Sequence, residues 1–218
     1  MGDEAAATEA SEAVVCIHGL WLHGVATWFM RQALRRHGFT AYAFSYPSVR
    51  RTLRHNAEAL AAFVDGLPHA KVHLVGHSLG GLVISAALPA LRRASPGKLG
   101  RVVFCGTPYA TSTAGEQLLK RKWGAHAIGQ SLPDWLSLPE KPLWPSEVAL
   151  GIIAGTRAFG AGSFVAKVPL PHDGTVRVAE TLVPGMAAQL LLPVTHTQLL
   201  TSATVARHIA HFLRSGAF

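Results

Sequence analysis

The sequence is poor in cysteine, which excludes several classes of protein. Only Cys16 and Cys105 occur among 218 residues, and neither a Cys-x-x-Cys pair nor a Cys/His cluster with zinc spacing is present. Each cysteine lies inside an apolar run, where a buried free thiol is more common than a disulfide. We therefore predict two free thiols and no metal site.

Long apolar runs are also missing. No segment approaches the roughly 20 consecutive apolar residues that a membrane-spanning helix requires. Residues 1–12 are acidic, small and polar, and they lack the basic-then-apolar order of a secretory signal. We expect a disordered N-terminal tail, a cytoplasmic protein, and one domain over residues 13–218.

Acidic residues are outnumbered by basic ones, which gives a formal net charge of +8. The basic residues are scattered along predicted helices and turns, so a solvated basic surface is favoured over a dedicated nucleic-acid or anionic-lipid patch. We predict no nucleic-acid partner, and peripheral contact with an anionic membrane surface stays open. The oligomeric state is not determined by the sequence.

Short apolar runs alternate with segments of helical spacing. The runs are apolar at successive positions, which is typical of parallel strands covered by helices on both faces. They begin at Ala13, Ala41, Lys71, Arg101, Ala149 and Ala188. The sequence therefore predicts an α/β fold of about six mostly parallel strands flanked by helices, with ligands bound at the carboxyl ends of the strands.

One segment, from Tyr109 to Pro145, interrupts this alternation. It is rich in proline and contains three tryptophans where another plain helix would be expected. We predict an insertion over residues 109–145 at the carboxyl edge of the sheet, with one helix near Ala114 to Trp123. It would serve as a small lid or as a pocket wall.

The motif GHSLG at residues 76–80 joins the predicted strand KVHLV to the predicted helix LGGLVISAAL. Gly-x-Ser-x-Gly between a strand and a helix is typical of a nucleophile elbow, in which a strained turn exposes the serine hydroxyl. Gly76 and Gly80 would remove collisions with neighbouring backbone. Ser78 is therefore the candidate nucleophile, and the amide of Leu79, at the start of a helix, is a candidate oxyanion donor.

A serine nucleophile needs a histidine base and an acid that orients it, and after an elbow of this kind the order is serine, acid, histidine. Asp173 begins the turn sequence DGTV after a predicted strand, and His196 follows the last predicted strand. Asp173 and His196 are therefore the candidate acid and base. Asp134 lies in the insertion, and His208 and His211 lie in the C-terminal helix, which makes them weaker candidates. His172 precedes the acid and violates the order.

The second oxyanion donor is expected in the loop after an earlier strand. The sequence CIHGL at residues 16–20 ends a predicted strand with His18 and Gly19. Gly19 permits a turn there, and the amide of Leu20 would then face the site. We predict Leu20 and Leu79 as the two oxyanion donors.

Together, HGLWLHG, GHSLGG, the DGTV loop and the segment THTQLL resemble the α/β-hydrolase superfamily. The resemblance extends from about Ala13 to the C-terminus and is to compact bacterial lipases and esterases and to relatives of GPI inositol-deacylase. It implies a minimal α/β-hydrolase fold without a large cap domain. It also implies Ser78 as nucleophile, His196 as general base and acid, and Asp173 as the group that orients His196.

The expected activity is hydrolysis of carboxylic esters through an acyl-enzyme, without a cofactor. Apolar side chains near the predicted site favour an apolar or lipid-like ester, with Trp21, Leu22, Tyr109 and Trp135 as candidate substrate-binding residues. A thioesterase or an acyltransferase would use the same triad. A non-catalytic scaffold that binds a lipid or a protein would be expected to lack a triad member.

Overall fold

The computed structural model describes residues 12–94, 96–159 and 169–218. These residues contain a six-stranded, all-parallel sheet with the spatial order β2-β1-β3-β4-β5-β6. The strands are β1 (Ala13–Ile17), β2 (Thr40–Phe44), β3 (Val72–His77), β4 (Leu99–Cys105), β5 (Leu150–Gly155) and β6 (Ala188–Leu192). The predicted fold class and all six predicted strands are confirmed. The sheet is parallel because each strand is followed by a crossover that returns the chain to the same end.

Helices cover both faces of the sheet. They are α1 (Trp28–Arg36), α2 (Leu53–Asp65), α3 (Leu79–Ala94), α4 (Thr113–Leu119), α5 (Gly124–Ile128), α6 (Ser131–Leu136), α7 (Gln198–Thr201) and α8 (Ala203–Ser215). Two of the longer helices begin at polar caps, because the hydroxyls of Thr52 and Ser202 accept the backbone N–H groups of His55 and Val205. Short 3₁₀ segments occupy Gly24–Thr27 and Val178–Thr181.

The two faces of the sheet bury separate hydrophobic clusters. Helices α2 and α3 and the inserted segment supply one cluster, and α1, α7 and α8 supply the other. Side chains alternate along each strand, so that Val15 and Ile17 enter the first cluster while Val14 and Cys16 enter the second. Strands β1 and β5 are buried along their whole length, which explains why they are apolar at every position.

Residues 109–145 contain three short helices, α4 to α6. The predicted helix near Ala114 to Trp123 is present as α4, although it ends at Leu119, and the prediction that the segment contains one helix is wrong. Helix α4 ends at Leu119 because the chain then turns: the amide of Arg121 bonds to the oxygen of Leu118 (3.0 Å), and that of Gly124 bonds to Arg121 (2.9 Å). The insertion is packed into the first hydrophobic cluster through Leu118, Ile128 and Trp135. It is therefore part of the domain core.

The N-terminal boundary lies close to the predicted one. Residues 1–11 of the predicted tail are outside the described residues, but Glu12 belongs to the fold, since its carbonyl oxygen accepts the amide of Thr40 (3.1 Å). Cys16 and Cys105 are buried free thiols, as predicted. Among the described residues, no helix combines the length and apolarity needed to cross a bilayer.

Candidate active site

Ser78 occupies the sharp turn between β3 and α3. Its φ of 53° lies in the left-handed region, which is rare for residues other than glycine and marks a strained position. The amide of Ser78 donates to the carbonyl oxygen of Cys105 at the end of β4 (2.9 Å), which holds the turn against the sheet. The serine therefore lies at the carboxyl edge, where the sequence predicted it.

The glycines of the motif are required by close backbone contacts. A Cβ on Gly76 would lie 2.6 Å from the Cα of Gly81, and a Cβ on Gly80 would collide with the carbonyl oxygen of Ile17. Backbone atoms cannot yield as a side chain can. The turn can thus pack between β1 and α3 only with hydrogen at these two positions.

Asp173 and His196 are joined by two hydrogen bonds. Nδ1 of His196 lies 2.6 Å from Oδ2 of Asp173, and the amide of His196 donates to the carbonyl oxygen of Asp173 (2.8 Å). The carboxylate is 1% exposed, and its Oδ1 accepts the amides of Thr175 and Val176 (2.9 and 2.8 Å). Because Nδ1 faces the acid, Nε2 of His196 is left to exchange a proton with a substrate or nucleophile.

The environment of Asp173 keeps it ionised. Burial alone would raise the pKa of this carboxyl group, but the adjoining His196 and the two loop amides outweigh burial, so the net pKa shift is downward. Gly106 lies directly beside the pair: a Cβ at this position would be 2.9 Å from Oδ2 of Asp173 and 3.1 Å from Nδ1 of His196. The end of β4 thus leaves room for the acid and the imidazole to meet.

His77 connects the elbow to the imidazole, a contact that sequence reasoning missed. Its Nε2 lies 3.0 Å from the main-chain oxygen of His196, to which it donates, and the two rings are 4.6 Å apart between centroids. His77 directly precedes Ser78, so the elbow and the base adjoin. Burial, followed by the neighbouring His196, lowers the pKa of His77 to about 3, which keeps its ring neutral.

The loop after β1 packs against Ser78, with an ideal Cβ on Gly19 only 3.0 Å from the Cβ of Ser78. His18 fixes this loop, because its Nε2 accepts the amide of Tyr46 (3.2 Å) and its Nδ1 therefore donates to the oxygen of Gly19 (2.8 Å). The hydroxyl of Tyr46 donates back to the oxygen of His18 (2.9 Å), and the two rings stack at 4.4 Å. Leu20 follows this anchored turn, and Leu79 opens α3 beside Ser78.

A family model described as the alpha/beta hydrolase family matches residues 14–214. The chain belongs to this family. No curated protein matches the chain significantly. The structural neighbours of this hydrolase include the mature Bacillus licheniformis lipase BlEst2, with 20% identity and a TM-score of 0.73 over 96% of this chain and 94% of the lipase.

Two further structural neighbours of the hydrolase are a phospholipase and a thioesterase. The phospholipase PlaB of Legionella pneumophila is 15% identical with a TM-score of 0.74, over 95% of this chain and 59% of PlaB. The RedJ thioesterase of Streptomyces coelicolor is also 15% identical, with a TM-score of 0.64 over 93% of this chain and 86% of RedJ. At these identities the likeness shows the shared fold alone.

The candidate substrate-binding residues of the hydrolase divide into two groups. Trp21 is 58% exposed and Leu22 is half-buried, and both directly follow the anchored turn at His18. Tyr109 and Trp135 are each 1% exposed and pack against each other at 4.9 Å, with the indole N–H of Trp135 donating to the oxygen of Tyr109 (2.8 Å). These two rings lie in the core and support the inserted segment, residues 109–145, from inside. They do not present a surface to solvent.

The competing residues of the hydrolase lie elsewhere. His172 is buried with its Nδ1 accepting the amide of Gly174 (2.9 Å), so it stabilises its own loop. Asp134 caps the start of α2, because its carboxylate accepts the amide of Leu53 (2.9 Å). His208 and His211 lie on α8. None of these contacts resembles the pairing of Asp173 with His196.

Proposed function

We propose that this alpha/beta hydrolase is a serine carboxylic-ester hydrolase that acts through an acyl-enzyme. The observation that carries the proposal is the buried Asp173 carboxylate bonded to His196 at 2.6 Å, beside a strained Ser78 at the same sheet edge. Such a pair has the function of orienting an imidazole so that its second nitrogen can deprotonate a hydroxyl. Ser78, His196 and Asp173 are the proposed nucleophile, base and orienting acid.

In the proposed reaction, Oγ of Ser78 attacks the ester carbonyl carbon and Nε2 of His196 takes the hydroxyl proton. The tetrahedral oxyanion is stabilised by the amides of Leu20 and Leu79, each contributing about 3 kcal/mol by comparison with other serine hydrolases. His196 then returns the proton to the leaving alcohol as the C–O bond breaks. Water, deprotonated by His196, releases the acid from Ser78.

An apolar or lipid-like ester is the proposed substrate class. Trp21 and Leu22 offer apolar surface next to the proposed donor loop, and the structural neighbours include a lipase and a phospholipase. The net charge of +8 favours an anionic lipid ester over a cationic one. The closer likeness to relatives of GPI inositol-deacylase stays a prediction.

A thioesterase is the second candidate, because the RedJ thioesterase shares this fold. It would use the same proposed residues and differ only in the leaving group, which would be a thiol. An acyltransferase, the third use of such a triad, would replace water with another acceptor. Comparing turnover of nitrophenyl esters of graded chain length with turnover of acyl-CoA separates these activities.

The triad is tested with a fluorophosphonate probe and a soluble nitrophenyl ester. We expect the probe to label the wild type but not Ser78→Ala, and we expect Asp173→Asn and His196→Ala each to lower turnover by about 10⁴-fold with the fold intact. His172→Ala tests the rival histidine and should lower turnover far less than His196→Ala, because it removes only the contact with the amide of Gly174. If His172→Ala is as damaging as His196→Ala, the assignment of the base is wrong, and labelling that does not depend on Ser78 would refute the proposal.

A further inference from the structure

Three of the five tryptophans are exposed to solvent. Trp21, Trp28 and Trp123 are 58%, 54% and 56% exposed, whereas Trp135 and Trp144 are buried. Val25, between the first two, is 79% exposed. Large apolar side chains that cluster on a surface mark a place where a partner or a membrane binds.

These exposed side chains share the end of the molecule that holds Ser78. Trp21 follows β1, Val25 lies in the short 3₁₀ segment after it, and Trp28 begins α1, so all three are at the carboxyl edge of the sheet. The indole N–H of Trp21 donates to the oxygen of Ala127 in α5 (2.7 Å), and Ala127 in turn bonds to the oxygen of Trp123 (3.1 Å). Trp123 is thus one helical turn from the residue that Trp21 contacts.

Basic side chains border the same edge. Arg50, Arg51 and Arg54 are exposed and line a cavity of about 310 Å³ where the chain passes from β2 into α2. This turn adjoins Trp21, because the amide of Trp21 donates to the hydroxyl of Ser48 (3.2 Å). Glu58 also lines this cavity, with its Oε1 3.9 Å from Nε of Arg54. The three arginines outnumber this carboxylate, so the cavity lining carries a net positive charge.

We propose that this docking face, formed by Trp21, Val25, Trp28, Trp123, Arg50, Arg51 and Arg54, binds the surface of an anionic phospholipid bilayer. Indole rings favour the headgroup level, where an apolar ring and a polar N–H are both accommodated, and arginines nearby are attracted to anionic headgroups. A nucleic acid would use the arginines but would leave the four apolar side chains of this face without a partner. The inference rests on the proposed function in one respect: a docked face brings the Ser78 edge to a lipid ester.

Flotation with lipid vesicles tests the docking face, using Ser78→Ala so that turnover of lipid does not interfere. We expect the full chain to bind vesicles of phosphatidylcholine mixed with phosphatidylglycerol, to bind pure phosphatidylcholine weakly, and to be released by salt. The double variant Arg50→Gln/Arg54→Gln should bind the mixed vesicles about 30-fold more weakly, from about 1 kcal/mol for each arginine. Trp28→Ser/Trp123→Ser should also weaken binding.

The matched control removes the same charge from the opposite edge. Arg36 and Arg93 are exposed near the C-terminal ends of α1 and α3, far from the carboxyl edge, so Arg36→Gln/Arg93→Gln should bind like the parent. Equal losses in the control and in Arg50→Gln/Arg54→Gln would mean that net charge alone drives binding, and the docking face would be wrong. Equal binding to neutral vesicles, or a dimer that Trp28→Ser/Trp123→Ser dissociates, would also overturn it.

The fate of the docking face and of the proposed function can be told apart. In the wild-type background, the surface variants should retain fluorophosphonate labelling and turnover of a soluble nitrophenyl ester, since none of their residues belongs to the proposed triad or donor loop. Failed flotation with intact labelling refutes only the docking face. Failed labelling with intact flotation refutes only the serine hydrolase.

Discussion

At the scale of single residues, His77 links the two halves of the candidate site. It lies 119 positions from His196 in the sequence, yet its Nε2 donates to the main-chain oxygen of that residue. The motif GHSLG predicts the turn around Ser78 but contains no signal for this contact, because the contact depends on how the loop after β6 folds back over β3. The same holds for His18 and Tyr46, whose stacking orients the proposed donor loop.

His77 is therefore a positioning residue whose replacement has a specific expected effect. His77→Ala should lower kcat on a soluble ester by about 10- to 100-fold with little change in KM, because His196 loses an anchor and a misplacement of about 1 Å has a cost of that order. His77→Gln, whose amide N–H can donate to the same oxygen, should restore part of the loss. Steady-state kinetics of both variants provide the measurement.

The pH profile distinguishes positioning from proton transfer by His77. Burial lowers the pKa of His77 to about 3, so its ring does not change charge at the pH values where the enzyme would work. The acid limb of kcat/KM should stay in place in His77→Gln. If that limb moves, His77 itself exchanges protons during turnover, and its role as a positioning residue is refuted.

At the scale of elements, the inserted helices α4 to α6 are packed against the core and hydrogen-bonded to the rest of the domain. Asn56 of α2 donates to the hydroxyl of Ser131 in α6 (3.0 Å), and that hydroxyl donates to the oxygen of Arg51 (3.0 Å). Glu180, buried beyond β5, accepts the amide of Thr113 at the start of α4 (2.8 Å). The insertion is thus tied to the rest of the domain from both sides.

Trp135 provides a test of this integration. Trp135→Ala should lower the free energy of unfolding by about 3–5 kcal/mol, because it removes a fully buried indole and leaves a cavity against Tyr109. Trp123→Ala is the matched control and should change stability by no more than about 0.5 kcal/mol, since Trp123 is 56% exposed. Chemical denaturation measures both values. A small effect of Trp135→Ala would mean that residues 109–145 are a separate lid.

The regular elements could be predicted from the sequence, and the insertion could not. Runs such as VVCI and VVFC are apolar at every position, which is typical of a strand buried on both faces, so local composition is sufficient to predict them. The segment after Tyr109 has no such continuous apolar run. Its helices are five to seven residues long and are stabilised by tertiary contacts such as the bond from Trp135 to Tyr109, which local propensity does not encode.

Asp173 and His196 were predictable for a different reason. A turn dipeptide and a histidine, each following a strand of a parallel sheet, must come to the same edge. The sequence does not predict which of the candidate substrate-binding residues face solvent. Whether Tyr109 or Trp135 faces solvent depends on packing between helices, and the sequence cannot distinguish a buried aromatic ring from one that lines a pocket.

At the scale of the whole molecule, three of the buried histidines lie within strand β3 or directly after strand β1. His18, His73 and His77 are each at most 4% exposed, and burial is the main cause that lowers the pKa of each. In the unfolded chain these groups titrate near the ordinary value of about 6.5. The folded state therefore binds fewer protons than the unfolded state below that pH.

This difference predicts an acid-sensitive fold. As the pH falls below about 6.5, the unfolded state gains protons first, so the free energy of unfolding should decrease, by about 1.4 kcal/mol per pH unit for His77 alone, until its folded pKa of about 3. His77→Asn should reduce the slope by that amount. An identical slope in wild type and His77→Asn would refute the assignment. Denaturation at pH 7, 6 and 5 measures it.

The hydrogen bond from the indole of Trp21 to the oxygen of Ala127 has a mechanical consequence. Trp21 directly follows Leu20, a proposed oxyanion donor, so this hydrogen bond connects the proposed donor loop to helix α5 of the inserted segment. An outward movement of α5 that admits a bulky substrate would displace the proposed donor loop, and the return of α5 would restore the position of that loop. Entry of a large substrate and the geometry of the proposed oxyanion donors would then be coupled through one movement of α5.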